Sequence, residues 1–446
     1  KSGSGCMRWW TLVFSGMLCL CAYAEEPAAP APAPETAETV SAGEGPVVLP
    51  PPTDEAVRFY KTGIVVWLVN LAWGIVLPGI VLFTGFSARI RNVAQGLGKK
   101  WPIVVAIYAI LFSLATYLID LPWSFYTDYV RMHDFGLSNQ TFGKWAYDSV
   151  MGLLVGTIVT ALILWVPYLL LRKAPKRWWL YTGLLMYPFF IFQMLISPVW
   201  IDPLFNEFGE MQDKNLEAKV LEIASRAGIE GSRVFEVDKS VDTKAYNAYV
   251  TGIFNTKRIV LWDTIIEGLE ERSLLFVMAH EMAHFVLGHV YNGIMLFGTL
   301  TLLGFYFVHK TSGWIMKRYG ERMGFDQLSD VASYPLIMML MAIAIILLQP
   351  AALALIRYQE HESDRFALEL TRDNYAGAAA FAKMNQDNLG YPYPHPILKI
   401  LRSSHPPLGE RVTFCNEYKP WEEGKPLKYG HLFASDYNAN TNGGEQ

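Results

Sequence analysis

The chain is poor in cysteine and in charge for its length. Of its 446 residues only four are cysteines, and three of these lie within the first 21 residues. The remaining one, Cys415, has no partner in the rest of the chain, which excludes a disulfide framework and a zinc site built from cysteines. Charged residues make up 17% of the chain, whereas soluble globular proteins carry about 25%.

Apolar residues are correspondingly abundant, since 52% of the chain is hydrophobic. A helix needs about 20 consecutive apolar residues to cross a bilayer. Six runs meet that length and predict membrane spans, at 62–86, 101–123, 146–171, 178–201, 290–309 and 334–356. The formal net charge is −4 and the basic residues lie in short loops, so together with the apolar runs we expect membrane lipid as a partner and no nucleic acid.

The N-terminal part predicts a leader followed by a tether. Residues 1–24 contain one arginine, a short apolar core and a closing Ala-Tyr-Ala, which is typical of a secretory signal peptide cleaved before Glu25. Residues 1–6 precede the start of that signal at Met7. An uncleaved first membrane anchor is the alternative. Residues 25–55 are rich in Pro, Ala and Glu and predict an extended, disordered tether.

The loops between spans predict the orientation. Loops 87–100, 172–177 and 310–324 are strongly basic, so the positive-inside rule places them in the cytoplasm. Loop 124–145 is balanced in charge and lies on the other side by parity, together with the long segment 202–289. We therefore expect a multi-pass protein of the inner membrane whose segment 202–289 and C-terminal part face the periplasm.

The pattern predicts a mainly α-helical membrane bundle joined to a catalytic domain with a small β-sheet. In the long segment the period of apolar residues predicts a helix at 214–228, and β-rich runs predict strands at 233–237 and 257–262, with Gly252 and Asn255 as turn formers. The predicted regions are four spans in 56–201, a catalytic region in 202–289, two further spans in 290–356, and the rest of the catalytic domain in 357–446.

The motif that carries chemistry is His280-Glu281-Met282-Ala283-His284. On a helix the two histidines lie on one face, four residues apart, and both can bind one zinc ion. Glu281 is offset from that face and is placed to take the proton of the attacking water. The alternative is a chance occurrence, but a glutamate between two histidines in an apolar helix is costly to bury without a function. His289 lies well round the helix from His284 and is expected to form a cap or hydrogen bond.

A His₂ site of this class takes a carboxylate as its third protein ligand. The stretch RYQEHESDRF at 357–366 supplies candidates directly after an apolar run. If it continues the last span as a helix, Glu360 and Asp364 share a face, while His361 and Glu362 point away. One of the pair would bind the metal and the other would accept the second N–H of a ligating histidine. The spacing leaves the order of the two open.

Over residues 120–415 the chain resembles the type I CAAX prenyl proteases, integral-membrane zinc endopeptidases of the gluzincin kind. The resemblance rests on HDFGLSNQTFGKW at 133–145, WIDPLFNEF at 200–208, NAYVTGIFNTKRIVLWDTII at 247–266, HEMAHFVLGH at 280–289, EHESD at 360–364 and HPPLGER at 405–411. It implies a zinc metalloendopeptidase with one Zn²⁺ per chain, whose spans enclose a chamber around the metal.

The resemblance also implies the roles of individual residues. Glu360 would be the third zinc ligand, and Asp364 the carboxylate behind it. His405 would stabilise the oxyanion, with Arg411 helping to position it. Asn247 would hold the substrate backbone beside an edge strand.

The chain departs from that family in two respects. Six spans and a signal stand where the family has seven spans, and the catalytic side is predicted periplasmic, whereas eukaryotic members face the cytosol. The resemblance therefore implies the activity but not the prenylated substrate. Two other readings remain: a zinc-stabilised membrane chaperone or assembly factor, which would not need Glu281, and a transporter, which would need ionisable residues deep within the spans.

Overall fold

The computed structural model describes residues 45–229, 231–251 and 258–434. The predicted signal, the tether up to residue 44, and the turn formers Gly252 and Asn255 lie outside these ranges.

Fifteen α-helices and four strands form most of the described part. The helices are α1 (Asp54–Phe83), α2 (Phe86–Leu97), α3 (Trp101–Ser124), α4 (Arg131–Asp134), α5 (Phe142–Ile163), α6 (Trp165–Lys173), α7 (Trp178–Ile196), α8 (Lys214–Arg226), α9 (Asp263–Gly268), α10 (Glu271–Val286), α11 (His289–Met323), α12 (Tyr334–Thr371), α13 (Asn374–Asp387), α14 (Pro396–Arg402) and α15 (Leu408–Glu417). The strands are β1 (Phe208–Glu210), β2 (Arg233–Val237), β3 (Ala248–Thr251) and β4 (Arg258–Trp262).

Among the described residues, six helical stretches are long and apolar enough to cross a membrane, and they coincide with the six predicted runs. The third of them is divided at Leu164 into α5 and α6. Pro167 follows this break, and a proline has no N–H to offer the carbonyl four residues earlier. The second and fourth spans end in π-helical turns, Phe125–Val130 and Ser197–Ile201, as the chain leaves the apolar region.

The buried side chains form two main cores. One joins the membrane helices and includes Leu82, Tyr108 and Trp178. The other joins β2, β3 and β4 to helices α8, α10, α13 and α15 and to the C-terminal end of α12. Residues on both sides of the last two spans therefore build one catalytic domain. The prediction of a mainly helical membrane bundle with a small sheet is confirmed, and the enclosed chamber stays a prediction.

The sheet has the strand order β1-β2-β4-β3 within the described residues. Strands β2 and β4 are parallel, and both were predicted at nearly these bounds. Strands β1 and β3 were not predicted from periodicity, since each has only three or four residues. Strand β3 pairs with β4 in antiparallel register and leaves its other side unpaired in this sheet, so it forms the edge nearest to α10.

The last part of the predicted tether is extended but not free. Residues 45–53 hold no helix or strand, yet Val47 and Leu49 pack against the catalytic core. The Val47 N–H donates to Asn416 Oδ1 at 3.0 Å, and Asn416 Nδ2 donates to the Val47 carbonyl at 2.8 Å. Composition alone predicted disorder here because Pro and Ala contribute little burial, and it could not foresee this docking site. The segment before the first span thus lies on the same side of the membrane bundle as the catalytic domain.

Candidate metal centre and active site

Helix α10 places both histidines of the HExxH motif on its inner face. The two Nε2 atoms lie 3.2 Å apart, and His280 is buried. The helix ends at Val286 with Leu287 as its C-cap, and Gly288 adopts a left-handed conformation (φ 69°) that turns the chain into α11. Only glycine takes this conformation without strain, so Gly288 fixes where the motif helix ends.

Helix α12 supplies the third ligand group, a carboxylate, at the same point. Glu360 Oε2 lies 3.3 Å from His280 Nε2, and Glu360 Oε1 lies 3.4 Å from His284 Nε2. A tetrahedral metal ion with ligand distances of about 2.0–2.2 Å separates its ligand atoms by about 3.3–3.6 Å. The triangle formed by His280, His284 and Glu360 has the size that such an ion requires.

The electrostatics of this triangle also fit a cation. Glu360 Oε2 is buried and makes no hydrogen bond to any of the residues that the structure describes. Burial alone lowers the pKa of His280, but the carboxylates of Asp364 and Glu360 outweigh it and raise this pKa to about 9. Burial lowers the pKa of His284 to about 3, so its imidazole is neutral and keeps a lone pair for a ligand. The donor set is therefore one that a divalent metal ion would satisfy.

Asp364 lies one turn beyond Glu360 and faces the other nitrogen of His280. Its Oδ1 is 2.9 Å from His280 Nδ1. Arg411, from α15, donates to both oxygens of this carboxylate, from Nε at 2.9 Å and from Nη2 at 2.7 Å. The guanidinium in turn lies 3.8 Å from the centre of the Phe381 ring. Asp364 is thus placed to orient the imidazole and not to meet the ion.

The second histidine has a corresponding neighbour. His289 Nδ1 lies 3.0 Å from His284 Nδ1, which is the hydrogen-bonding role expected for His289. Which histidine it would contact was not evident from sequence, because the contact depends on the turn at Gly288.

Within the EHESD stretch, His361 and Glu362 point away from the triangle, as helical geometry predicted. Glu362 accepts hydrogen bonds from Lys428 and Tyr429 in the C-terminal tail. The His361 ring packs on Phe414, with 4.3 Å between ring centres. Glu362 therefore attaches the tail to α12, and His361 packs α12 on α15.

His405 approaches the triangle from the loop between α14 and α15. Its Nε2 lies 3.2 Å from Glu360 Oε2, and its Nδ1 lies 2.9 Å from Ser404 Oγ. Arg357 holds this loop by donating to the carbonyls of Lys399 at 3.0 Å and Ser403 at 2.7 Å. Burial lowers the pKa of His405 to about 4.

Glu281 and Asn247 line the cleft beside the triangle. Burial is the main cause that raises the pKa of Glu281 to about 7. Asn247 is buried at the start of the edge strand β3, and its carbonyl accepts the Trp262 N–H at 3.1 Å. The structure thus brings the sequence-predicted site residues together around the triangle and the cleft beside it, from segments far apart in the chain. Sequence reasoning missed Tyr246, Phe381 and Met384, which also line the cleft and carry no motif signal.

Comparison with known proteins identifies the family. Residues 210–419 match the model of peptidase family M48, and residues 57–207 match that of the CAAX prenyl protease N-terminal region, described as five membrane helices. The metalloprotease YhfN of Bacillus subtilis is 35% identical over 347 residues, which cover 78% of this chain and 80% of that protein. The chain belongs to peptidase family M48. It is a membrane metallopeptidase, and the resemblance drawn from the sequence is confirmed.

Two further comparisons support this assignment. CAAX prenyl protease 1 of Saccharomyces cerevisiae is 27% identical to this M48 peptidase, over 68% of this chain and 70% of that protein. The crystal structure of S. mikatae Ste24p superposes with a TM-score of 0.71 at 23% identity, covering 80% of this chain and 87% of that one. At this identity the match shows the common fold. Within the region matched by the N-terminal model, the structure describes four candidate spans.

Proposed function

We propose that this M48 peptidase is a zinc-dependent endopeptidase that hydrolyses unfolded, membrane-associated or CAAX-like polypeptides. The observation that carries the proposal is the triangle of His280, His284 and Glu360, whose ligand atoms lie 3.2–3.4 Å apart. Two imidazoles and a carboxylate are the ligand set of catalytic zinc sites, which keep a fourth position open for water or substrate.

Zinc bound there would polarise the scissile carbonyl and supply a water of lowered pKa at neutral pH. Glu281, beside the triangle, takes the proton of the attacking water and passes it to the leaving amine. His405 donates a hydrogen bond to the oxyanion that develops on the carbonyl oxygen. Asp364 and Arg411 hold the His280 ring in the tautomer that leaves Nε2 free to ligate.

An extended substrate would bind along the unpaired side of β3. An edge strand offers backbone donors and acceptors to any extended peptide, without demanding a particular sequence. Asn247 immediately precedes this strand and lines the cleft together with Glu281, so it is placed to contact the substrate backbone near the scissile bond. Only unfolded segments present a backbone that can pair in this way, which is why we assign unfolded polypeptides as substrates.

We place the peptidase in the inner membrane with its catalytic side in the periplasm. Loop 135–141 contacts the catalytic domain, since the Asn139 N–H donates to the Asp242 carbonyl at 3.3 Å. On the opposite side Arg91 pairs with Asp330, which joins two of the loops between spans. That opposite side carries the basic loops, which supports its cytoplasmic placement. A periplasm-dependent reporter fused after Gln446 should be active, and the same reporter inserted in loop 324–330 should be silent; the reverse pattern would overturn this placement.

The experiment that tests the activity is Glu281→Gln in the full-length protein, assayed on a quenched peptide with zinc content measured in parallel. We expect one zinc per chain and no turnover. The matched control is Glu271→Gln, on the same helix, where the carboxylate pairs with Lys219 at the surface. Turnover by Glu281→Gln at the wild-type rate would refute the mechanism. A wild-type protein that binds zinc but cleaves no peptide would instead favour the chaperone role.

A further inference from the structure

The lining of the cleft beside the metal triangle is part polar and part apolar or aromatic, and we call the apolar part, which has two walls, the apolar pocket. Tyr246 and Ala248 form the wall on the side of strand β3, and Phe381 and Met384 form the wall on helix α13. Val277 of α10 lies between them, one turn before His280. A side chain of a substrate lying along β3 would therefore enter between Tyr246 and Met384.

A hydrogen bond joins the two walls of this pocket. Tyr246 Oη donates to Asp387 Oδ2 at 2.7 Å, across 141 residues of sequence. Asp387 lies one turn beyond Met384, and its carboxylate also pairs with Lys383 Nζ at 2.7 Å. Burial, followed by the bond to Asp387, raises the pKa of Tyr246 well above its ordinary value, so the phenol stays a donor at physiological pH.

Packing against Gly268 restricts movement of the Tyr246 ring away from α13. Gly268 lies against the ring, where a Cβ atom would come within 2.2–2.3 Å of two ring carbons and the phenol oxygen. The preceding carbonyl, that of Ala245, accepts a hydrogen bond from the Thr264 hydroxyl. The ring is thus held from the sheet side by packing and from the helix side by Asp387.

We propose that the Tyr246–Asp387 hydrogen bond is a latch that fixes the width of the apolar pocket and so limits the size of the substrate side chain that the cleft accepts. The proposal rests on the proposed peptidase activity and names a specificity-determining pair within it. With the latch formed, the two walls cannot part, and large aromatic side chains are excluded. Without the latch, α13 and Tyr246 can separate, so kcat/KM rises more for substrates with large side chains than for substrates with small ones.

The test uses two quenched peptides that differ only in one residue beside the scissile bond, leucine or naphthylalanine. The quantity measured is the ratio of kcat/KM for the naphthylalanine peptide to that for the leucine peptide. We expect Tyr246→Phe to raise this ratio at least about fivefold, the net worth of one hydrogen bond. Asp387→Leu should raise it as well, and the double variant should raise it no further. An unchanged ratio in Tyr246→Phe and Asp387→Leu would overturn the latch.

Two control variants separate the latch from a loss of structure. Asp387→Asn keeps an acceptor for the phenol and should retain the wild-type ratio. Lys383→Met removes the ion pair but leaves the latch, and should also retain it. A raised ratio in Lys383→Met would assign the effect to the ion pair and overturn the proposal.

A binding measurement distinguishes failure of the latch from failure of the peptidase assignment. Fluorescence anisotropy of both peptides with Glu281→Gln and with Glu281→Gln/Tyr246→Phe reports the same selectivity without turnover. The latch is supported if the naphthylalanine peptide, relative to the leucine peptide, binds Glu281→Gln/Tyr246→Phe more strongly than it binds Glu281→Gln. Equal relative binding to these two proteins refutes it. If the wild type cleaves neither peptide, nor a panel of unfolded proteins, the peptidase assignment fails instead.

Discussion

Asp364 Oδ1 lies 2.9 Å from His280 Nδ1, on the side of the ring opposite to the nitrogen that faces Glu360. The same carboxylate receives two hydrogen bonds from Arg411, so its position is set from behind. A carboxylate on the second nitrogen of a ligating histidine fixes the tautomer and raises the basicity of the ligating nitrogen. Glu360 and Asp364, one turn apart on α12, are thus placed for different tasks around one imidazole.

Replacing Asp364 should weaken metal binding without removing a ligand. We expect Asp364→Asn to lower zinc affinity about 10–100-fold, as is usual for the loss of such a partner. Competition with a chromogenic chelator measures this affinity. The matched control is Glu362→Gln on the same helix, which should leave zinc affinity unchanged because Glu362 binds the C-terminal tail. Equal losses in the two variants would show a general effect of disturbing α12.

Removing the third ligand should have a stronger effect than removing its neighbour. We expect Glu360→Ala to lose stoichiometric zinc on dialysis, because the two histidines that remain hold the ion more weakly than three ligands do. His361→Ala should keep one zinc per chain, since this ring packs on Phe414 away from the triangle. Metal content measured by mass spectrometry decides between them. Full zinc retention in Glu360→Ala would remove Glu360 from the ligand set.

His405 should act on turnover and not on metal content. Removing one donor to an oxyanion typically costs about 10²–10³-fold in kcat. We expect His405→Ala to show a loss of this size, with KM little changed and zinc fully retained. His431→Ala, an exposed histidine in the same domain, is the control and should behave as wild type. Because His405 Nε2 lies 3.2 Å from Glu360 Oε2, loss of zinc in His405→Ala would instead identify a ligand.

The docking of Val47 predicts a contribution of the N-terminal segment to stability. Asn416→Ala removes both hydrogen bonds to the Val47 backbone and leaves its N–H and C=O without these partners. The expected cost is about 1–3 kcal/mol, the net contribution of two hydrogen bonds. Thermal unfolding in detergent should show a lower Tm, and limited proteolysis should show faster cleavage within 45–53. The neighbouring Glu417→Gln is the control, and equal Tm values for the two variants would contradict the prediction.

Much of the fold was predictable because its signals are local. The length of apolar runs predicted six spans, and a span needs no information from the rest of the chain. Strands β2 and β4 were predicted from their β-branched runs, whereas β1 and β3 were too short to stand out. The pairing of β3 at the sheet edge depends on β4, and periodicity within four residues cannot report it.

The candidate site was predictable to the extent that helical geometry decides it. The HExxH spacing places two imidazoles on one face, and the same rule turns His361 and Glu362 away from Glu360 and Asp364. Tyr246, Phe381 and Met384 carry no such pattern. Their place in the cleft follows from how α13 and β3 pack on α10, which no local sequence rule contains.

The sequence by itself determined the membrane spans, the two-histidine face of α10 and the two carboxylates that α12 can present, because each follows from the pitch of a single helix. The tertiary structure decided which of the two carboxylates faces both Nε2 atoms, since that depends on how α12 crosses α10. It also decided that His405, Arg411 and Tyr246 reach the same cleft. Such contacts join residues up to 141 positions apart in the chain, and packing sets them through the burial of shared apolar surface.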